Sequence, residues 1–464
     1  MAFAPSSFLV TGVTALAVTL LYLSRRRSQP KFALSCPPGP NVSNLPTDDP
    51  WVTYQEWGRE YGDLIYIREK NMLITNKTQV AVDLLEKRAR IYSDRESSPT
   101  SQLCEADHII GLQRYSNKWR KHRRFFHQTF RQSACSRFYP AQYKKINDFL
   151  RSLTTTPENF MQHTVALSLA FMYAALYGLD IGVEDPLSRK AVRTMDLFGQ
   201  ILFTANEFIQ DLNDLDTIPF EKAMNNVKTG AGSSIIAEMA LEKPADIEMI
   251  KAMGGTSFMD TTMSAMSSAI LTLTLHPDVQ VKAQAEIDHV VGRDRLPTFE
   301  DRESLPYVEA IYREVMRLHP LFHLNHVSTE DDFYQGYHIP QGCVVLPNIW
   351  AMNRDPDLYP EPDKFMPERF LEGHGPFTNI NDIYAYGFGR RVCVGRYVAD
   401  TTVWLTIVSI LATLDLRKAK DDRGHEIDIP EEYTQHFFRY SPKPYQSSIK
   451  PRDSKALALI LAAK

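Results

Sequence analysis

The 464-residue chain is poor in cysteine and in anything that would divide it into pieces. Its five cysteines, Cys36, Cys104, Cys135, Cys343 and Cys393, stand far apart with no C-x-x-C pair. That excludes the usual structural zinc spacings. An odd, sparse set also builds no disulfide framework and suits a reducing compartment. No Gly/Ser tract, long charge run or internal repeat follows the first few dozen residues, so nothing marks a linker. One large domain, 28–464, behind an N-terminal segment, 1–27, is the simplest organisation. A net charge of −4 with scattered basic residues argues against nucleic acid as a partner.

What is present begins at the N-terminus. Phe8 to Leu23 carries no charge, and Arg25, Arg26 and Arg27 follow at once. As a helix this run spans roughly 24 Å, close to the roughly 27 Å hydrocarbon core of an endoplasmic reticulum bilayer. A cleaved signal peptide, the alternative, would carry its positive charge before the apolar run rather than after it. The expectation is a single-pass transmembrane anchor in the endoplasmic reticulum membrane, with everything from Arg25 onward in the cytosol. Cys36-Pro37-Pro38-Gly39-Pro40 then reads as a stiff, extended spacer, because proline fixes φ and removes donors.

The body is mainly α with a small β part. Helical periodicity predicts helices over Gln79 to Lys87, Lys118 to Phe130, Gln142 to Leu153, Phe160 to Leu176, Asp246 to Leu275, Val279 to Val291, Pro306 to Leu318 and Arg396 to Leu414. Short strands are expected at Leu64 to Ile67, Met72 to Thr75, Tyr337 to Ile339 and Val344 to Leu346. Asp355 to Phe370 carries four prolines and reads as an ordered loop.

The informative stretch is Tyr386-Gly387-Phe388-Gly389-Arg390-Arg391-Val392-Cys393-Val394-Gly395-Arg396. Its glycines permit tight turns and close approach to a flat ligand. Cys393 falls just before a predicted helix, where the dipole and free N–H groups favour a thiolate. Taken alone, the stretch could equally hold a small buried hydrophobe. Gly389, Arg391, Cys393 and Gly395 nevertheless match the haem-binding signature F-x-x-G-x-R-x-C-x-G position for position, with Tyr386 in place of the usual Phe. The chain thus resembles the cytochrome P450 family, and the resemblance covers nearly all of it.

Other residues agree with that resemblance. Glu314 and Arg317 share a helix face; on their own they would be a surface ion pair contributing little. With Arg369 of Pro367-Glu368-Arg369-Phe370 they match the family's E-x-x-R and P-E-R-F elements, which implies a buried scaffold for the cysteine loop. Trp119 and Arg123 match W-x-x-x-R, and with His326 and Arg391 they are implied as partners of the haem propionates. Asp260 and Thr261 match the acid–threonine pair of the oxygen-side helix and are implied as a proton relay; the plainer reading is a hydroxyl bonded to its own backbone. Ser257 and Phe258 depart from that pattern, Phe258 standing where glycine usually opens a groove; Gly254 and Gly255 come a few residues earlier. The stretch from Asn206 to Asp246, which in the family carries a roof of helices, is compressed here through Asp214 to Pro219.

The resemblance implies a haem whose iron takes Cys393 as its sulfur ligand, and a monooxygenase fed by NADPH through a partner cytochrome P450 reductase. It would insert one atom of O2 into a hydrophobic small molecule, a terpenoid or polyketide of fungal secondary metabolism. The alternatives are a haem-thiolate isomerase or peroxide user, supported by Ser257 and Phe258, and a non-catalytic member, supported by the compressed roof.

Overall fold

The structure is a computed structural model and describes residues 35–96, 109–182, 185–198, 201–256, 261–320, 324–371, 383–436 and 439–463. The expected anchor lies outside these residues. Among the described residues no helix is long and apolar enough to cross a membrane.

Helix α1 (Pro50–Tyr61) starts on a proline, which loses no hydrogen bond in a first turn, and stops at Gly62, whose φ is 95°. The hairpin β1 (Leu64–Ile67) and β2 (Met72–Thr75) follows, then α2 (Thr78–Ala81), which widens into a π-turn over Val82–Lys87. The body then runs through α3 (Asn117–Phe130), α4 (Tyr139–Thr155), α5 (Phe160–Met172), α6 (Pro186–Phe198), α7 (Ile201–Thr229), α8 (Ile235–Glu242) and α9 (Ile247–Thr256). It continues as α10 (Thr261–Leu275), α11 (Pro277–Val290) and α12 (Pro306–Leu318). Strands β3 (His326–Val327), β4 (Asp332–Tyr334), β5 (Tyr337–Ile339) and β6 (Val344–Pro347) come next, then α13 (Ile349–Met352), α14 (Arg396–Thr413) and β7 (Leu414–Lys418). The chain closes with β8 (Tyr433–His436), β9 (Arg439–Pro442), β10 (Ser447–Pro451) and α15 (Ser454–Ala462).

The largest sheet has the order β1-β2-β6-β3. β2 and β6 run parallel with Met72 opposite Val344, and β3 returns antiparallel with His326 opposite Val345. This register places His326 at a buried edge facing the helices.

Helix α10 is buried along nearly its whole length and packs on α5, α12 and α14. Some of its hydroxyls are accommodated by bonds across and along the helix: Thr164 of α5 meets Ser267 at 3.1 Å, and Thr272 and Thr274 each donate to a carbonyl four residues back at 2.8 Å. Gln280 sews α11 to β7: its amide donates to the Leu273 and Leu416 carbonyls at 2.7 and 2.8 Å, and its carbonyl accepts from Leu416 N–H. Such saturation removes the penalty of burying an amide.

The compressed stretch holds more helix than its composition suggests. α7 runs unbroken for 29 residues with Pro219 inside it, at the loss of one backbone hydrogen bond. Asp211 and Asp214, on α7, grip Lys190 of α6 at 2.7 and 2.8 Å. Gly254 and Gly255 serve close packing. A Cβ on Gly254 would stand 1.8 Å from the Tyr177 hydroxyl, and one on Gly255 would stand 1.7 Å from Asp216 Oδ1.

His319, just past α12, is buried against Thr272 (3.2 Å) and stacks on Tyr433 with ring centroids 5.1 Å apart. Burial, with Arg354 and Arg317 nearby, pushes its pKa from the ordinary 6.5 to about 3. The folded chain therefore keeps His319 neutral where the unfolded chain binds a proton. Stability is full above about pH 6.5 and falls as the pH drops toward 3, by up to roughly 1.4 kcal/mol per pH unit from this group. Denaturant midpoints measured between pH 7 and 4 should show that slope, and His319→Gln should flatten it.

Candidate functional site

The cysteine loop is held before any cofactor is considered. Gly387 and Gly389 have φ of 78° and 55°, a region that side chains strain to enter. Gly389 lies flat on the π-turn after α2, and a Cβ there would stand 2.0 Å from the Leu85 carbonyl oxygen. Cys393 N–H closes the loop by donating to the Tyr386 carbonyl at 2.8 Å. Arg390 reaches across to donate to the Tyr115 hydroxyl. Burial pushes the Cys393 thiol up, while the Gly395 N–H and the charges of Arg123 and Arg396 pull it down.

Above the thiol opens a cleft of about 290 Å³. Its wall takes Thr261, Thr262 and Ala265 from α10, Met316 from α12 and Leu324 beside β3, a largely apolar surface. The opposite edge is cationic. Trp119, Arg123, His326 and Arg391, expected together from the sequence, all line this cleft with Cys393. Ser116 caps α3 by accepting from Trp119 N–H at 3.1 Å. The Arg391 guanidinium then lies 4.2 Å from the Trp119 ring centroid, a stacking the sequence did not announce. Arg391 donates to the Ser93 and Gln113 carbonyls, both at 2.7 Å, and Arg123 to the Val392 carbonyl. His326 Nδ1 lies 2.8 Å from the Tyr92 carbonyl, which can only accept, so that nitrogen carries the proton.

Sequence reasoning missed Arg95. It is buried, lines the same cleft, and donates to the Gly111 carbonyl at 2.9 Å and to the Asn325 carbonyl. Among the described residues no carboxylate pairs with Arg95, Arg123 or Arg391. Burial holds Arg123 and Arg391 down at about 10 and pushes Arg95 well below its ordinary value. Burial and the positive charges of Arg95 and Arg391 likewise keep His326 neutral. Three guanidiniums, two buried and that of Arg123 half-buried, whose hydrogen bonds among the described residues go only to carbonyls, fit a ligand with a dianionic edge, as haem has in its two propionates. The residues present therefore fit haem, with Cys393 at its face and the cations at its rim.

On the opposite side, Thr261 opens the described part of α10 and faces the cleft. Asp260, Ser257 and Phe258 lie outside the described residues. The scaffold trio is as close as expected. Glu314 is fully buried and takes Arg317 in a fork at 2.7 and 2.8 Å, with Arg369 Nε at 3.0 Å. Glu314 also accepts from Met366 N–H at 2.8 Å. The two arginines spend their remaining donors on the carbonyls of Asn353, Pro360, Pro362 and Lys364. The trio thus fastens the proline-rich loop to α12, the helix that backs the cleft.

Known proteins share this arrangement. The family description "Cytochrome P450" matches residues 36–248 and 246–446, which take in both the sheet and the cysteine loop. Cytochrome P450 monooxygenase COX1 of Coprinopsis cinerea is 34% identical over 495 residues, spanning 94% of this chain and 95% of the relative. Tryptamine 4-monooxygenase of Psilocybe cyanescens is 30% identical over 91% of this chain and 94% of its own. A zebra fish cytochrome P450 structure with progesterone superposes with a TM-score of 0.74 at 22% identity, over 88% of this chain and all of that one, which shows the fold. A fold of this kind with its cysteine at the floor of the cleft is that of the haem-thiolate proteins. The chain belongs to the cytochrome P450 family and is mainly helical with a small sheet part.

Two substitutions test this construction. Glu314→Gln leaves Arg317 and Arg369 buried without their counter-charge and should cost roughly 3–5 kcal/mol in denaturant unfolding. Gly389→Ala adds roughly 1–2 kcal/mol of left-handed strain before any clash with Leu85. It should lower haem retention, read as the ratio of Soret to protein absorbance.

Proposed function

We propose that this chain is a haem-thiolate monooxygenase that inserts one oxygen atom of O2 into a hydrophobic small molecule. The observation that carries the reading is the cleft itself. It brings Cys393, the cationic rim and an apolar wall to one place, although they come from distant parts of the sequence. In this reading Cys393 would supply the sulfur ligand of the iron, and Trp119, Arg123, His326 and Arg391, joined by Arg95, would hold the propionates. Haem on a thiolate supplies an electron-rich iron that favours O–O cleavage. The protein's part is to hold that group by its anionic edge, to exclude water with the α10 wall, and to deliver protons. Thr261 is the hydroxyl placed to pass a proton, with Asp260 before it as the acid that recharges it.

Electrons come from NADPH through a partner cytochrome P450 reductase. Exposed positive charge on α3, at Lys118 and Arg120 beside Trp119, supports this, since it suits docking of an acidic flavoprotein. The segment 1–27 is the membrane anchor and 28–464 the catalytic domain, held on the cytosolic side of the endoplasmic reticulum. Asn76 lies in a glycosylation sequon, yet its amide donates to the Tyr54 carbonyl at 2.7 Å and its carbonyl accepts from Asn348, so it is committed within the fold. An apolar wall, a membrane address and fungal relatives point to a secondary metabolite, a terpenoid or polyketide, as substrate. The isomerase or peroxide reading rests on Ser257 and Phe258, which lie outside the described residues.

The reduced, carbon-monoxide-bound protein should show the red-shifted Soret band of a thiolate ligand, and Cys393→Ala should abolish it. Haem incorporation of zero would overturn the proposal. With reductase and NADPH, product formation in a host making candidate terpenes should fall roughly 100-fold in Thr261→Ala. Unchanged turnover in that variant would remove Thr261 from the relay.

A further inference from the structure

Behind the cysteine loop two tyrosines meet. Tyr386 stands where the family signature usually has phenylalanine, and its hydroxyl lies 3.0 Å from that of Tyr312 on α12. Tyr312 is fully buried and Tyr386 nearly so. Tyr386 lines the cleft beside Cys393, and its carbonyl is the acceptor for Cys393 N–H at 2.8 Å. The same residue thus grips the cysteine through its backbone and α12 through its side chain.

The far side of the pair leads outward. The Tyr312 ring lies beneath the Arg302 guanidinium, 5.5 Å from its centroid. Arg302 makes a fork with Asp400 of α14 at 2.6 and 3.0 Å and bonds Glu309 at 2.9 Å. These three residues line a second, more open cavity of about 590 Å³, separate from the cleft. A continuous set of contacts therefore runs from an open charged cavity, through two phenols, to the backbone of the cysteine.

We propose that Tyr312 and Tyr386 act as one positioning unit that sets the reduction equilibrium of the iron bound by Cys393, and that transmits to it the charge of the Arg302–Asp400–Glu309 cluster. The inference rests on the haem-thiolate reading above. Each hydroxyl is the partner of the other in a place shielded from water. Removing one therefore strands the other and lets the Tyr386 carbonyl shift against Cys393. In a poorly solvated interior, charges and dipoles act over longer distances than at a surface. Arg302 of the cluster packs on the Tyr312 ring, so the pair is placed to relay part of the cluster's charge to the iron.

The test is a redox titration of the holoenzyme with Tyr312→Phe, Tyr386→Phe, the double variant, Asp400→Asn, and Tyr307→Phe as control. Tyr307 sits on the same helix, but its hydroxyl donates to Glu368 at 3.0 Å, away from the loop. Each single tyrosine variant of the pair should move the equilibrium constant for reduction in the same direction, on the order of threefold to tenfold. The double variant should match a single one rather than multiply the effects. Asp400→Asn should shift the equilibrium in the wild-type background and lose most of that shift in the double. If one single variant loses haem, the double, which leaves no stranded hydroxyl, should regain it; failure to regain it counts against pairing. Unmoved equilibria with normal haem content, multiplicative effects, or an equal shift in Tyr307→Phe would overturn this inference and leave the enzyme reading standing. A wild-type chain that takes up no haem overturns both.

Discussion

Glu314 is a carboxylate with no access to water, and two guanidiniums converge on it. A charge in that position is tolerable only with its partners in place, because the attraction must offset several kcal/mol of lost hydration for each ion. The geometry is therefore all or nothing. Once Arg317 and Arg369 are seated, their outer nitrogens have one set of carbonyls to reach, and the proline-rich loop is fixed. That loop presses on α12, and α12 carries both Met316 at the cleft and Tyr312 behind the cysteine. The site inherits its rigidity from an interaction that touches neither cofactor nor substrate.

The cleft shows a division of labour by polarity. One wall is aliphatic and aromatic; the rim on the other side gathers cations that find only neutral carbonyls among the described residues. Neither half is stable by itself. An apolar cleft open to water forfeits part of its burial energy, and clustered guanidiniums repel one another. A flat, greasy molecule with two anionic arms relieves both problems together, so cofactor binding and folding draw on the same free energy.

Much of this could be read from the chain. The 3.6-residue spacing of apolar side chains located α3, α4, α11, α12 and α14 to within a few residues. The strands β1, β2 and β5 fall where β-branched runs predicted them. Cys393, the scaffold trio and four members of the rim were marked by their match to the motifs of the family the chain resembles. What escaped detection depends on partners distant in sequence. Pro219 and the acidic residues around it read as a break; Lys190 and the packing of α6 and α9 carry α7 straight through, as tertiary contacts often override propensity. Arg95 follows Asp94 and resembles half of a local ion pair, yet Asp94 is taken by Arg114 at 2.7 Å and Arg95 turns inward. The Tyr386 hydroxyl looks incidental until the fold supplies Tyr312.

Gly389 rests on the carbonyl of Leu85, and Arg391 reaches back 298 positions to Ser93. The floor of the cleft is thus fastened to the opening third of the chain although its residues are made near the end. Contacts that close so large a loop form late, because the chain entropy they cost must be met before they give anything back. During synthesis the helices around α10 can assemble while the cysteine is still to come, and the haem slot becomes complete as one of the last events. Quality control of the cofactor-loaded enzyme is thereby built into the order of assembly: a chain cut short, or one whose first strands are misplaced, has no seat on which Cys393 can come to rest.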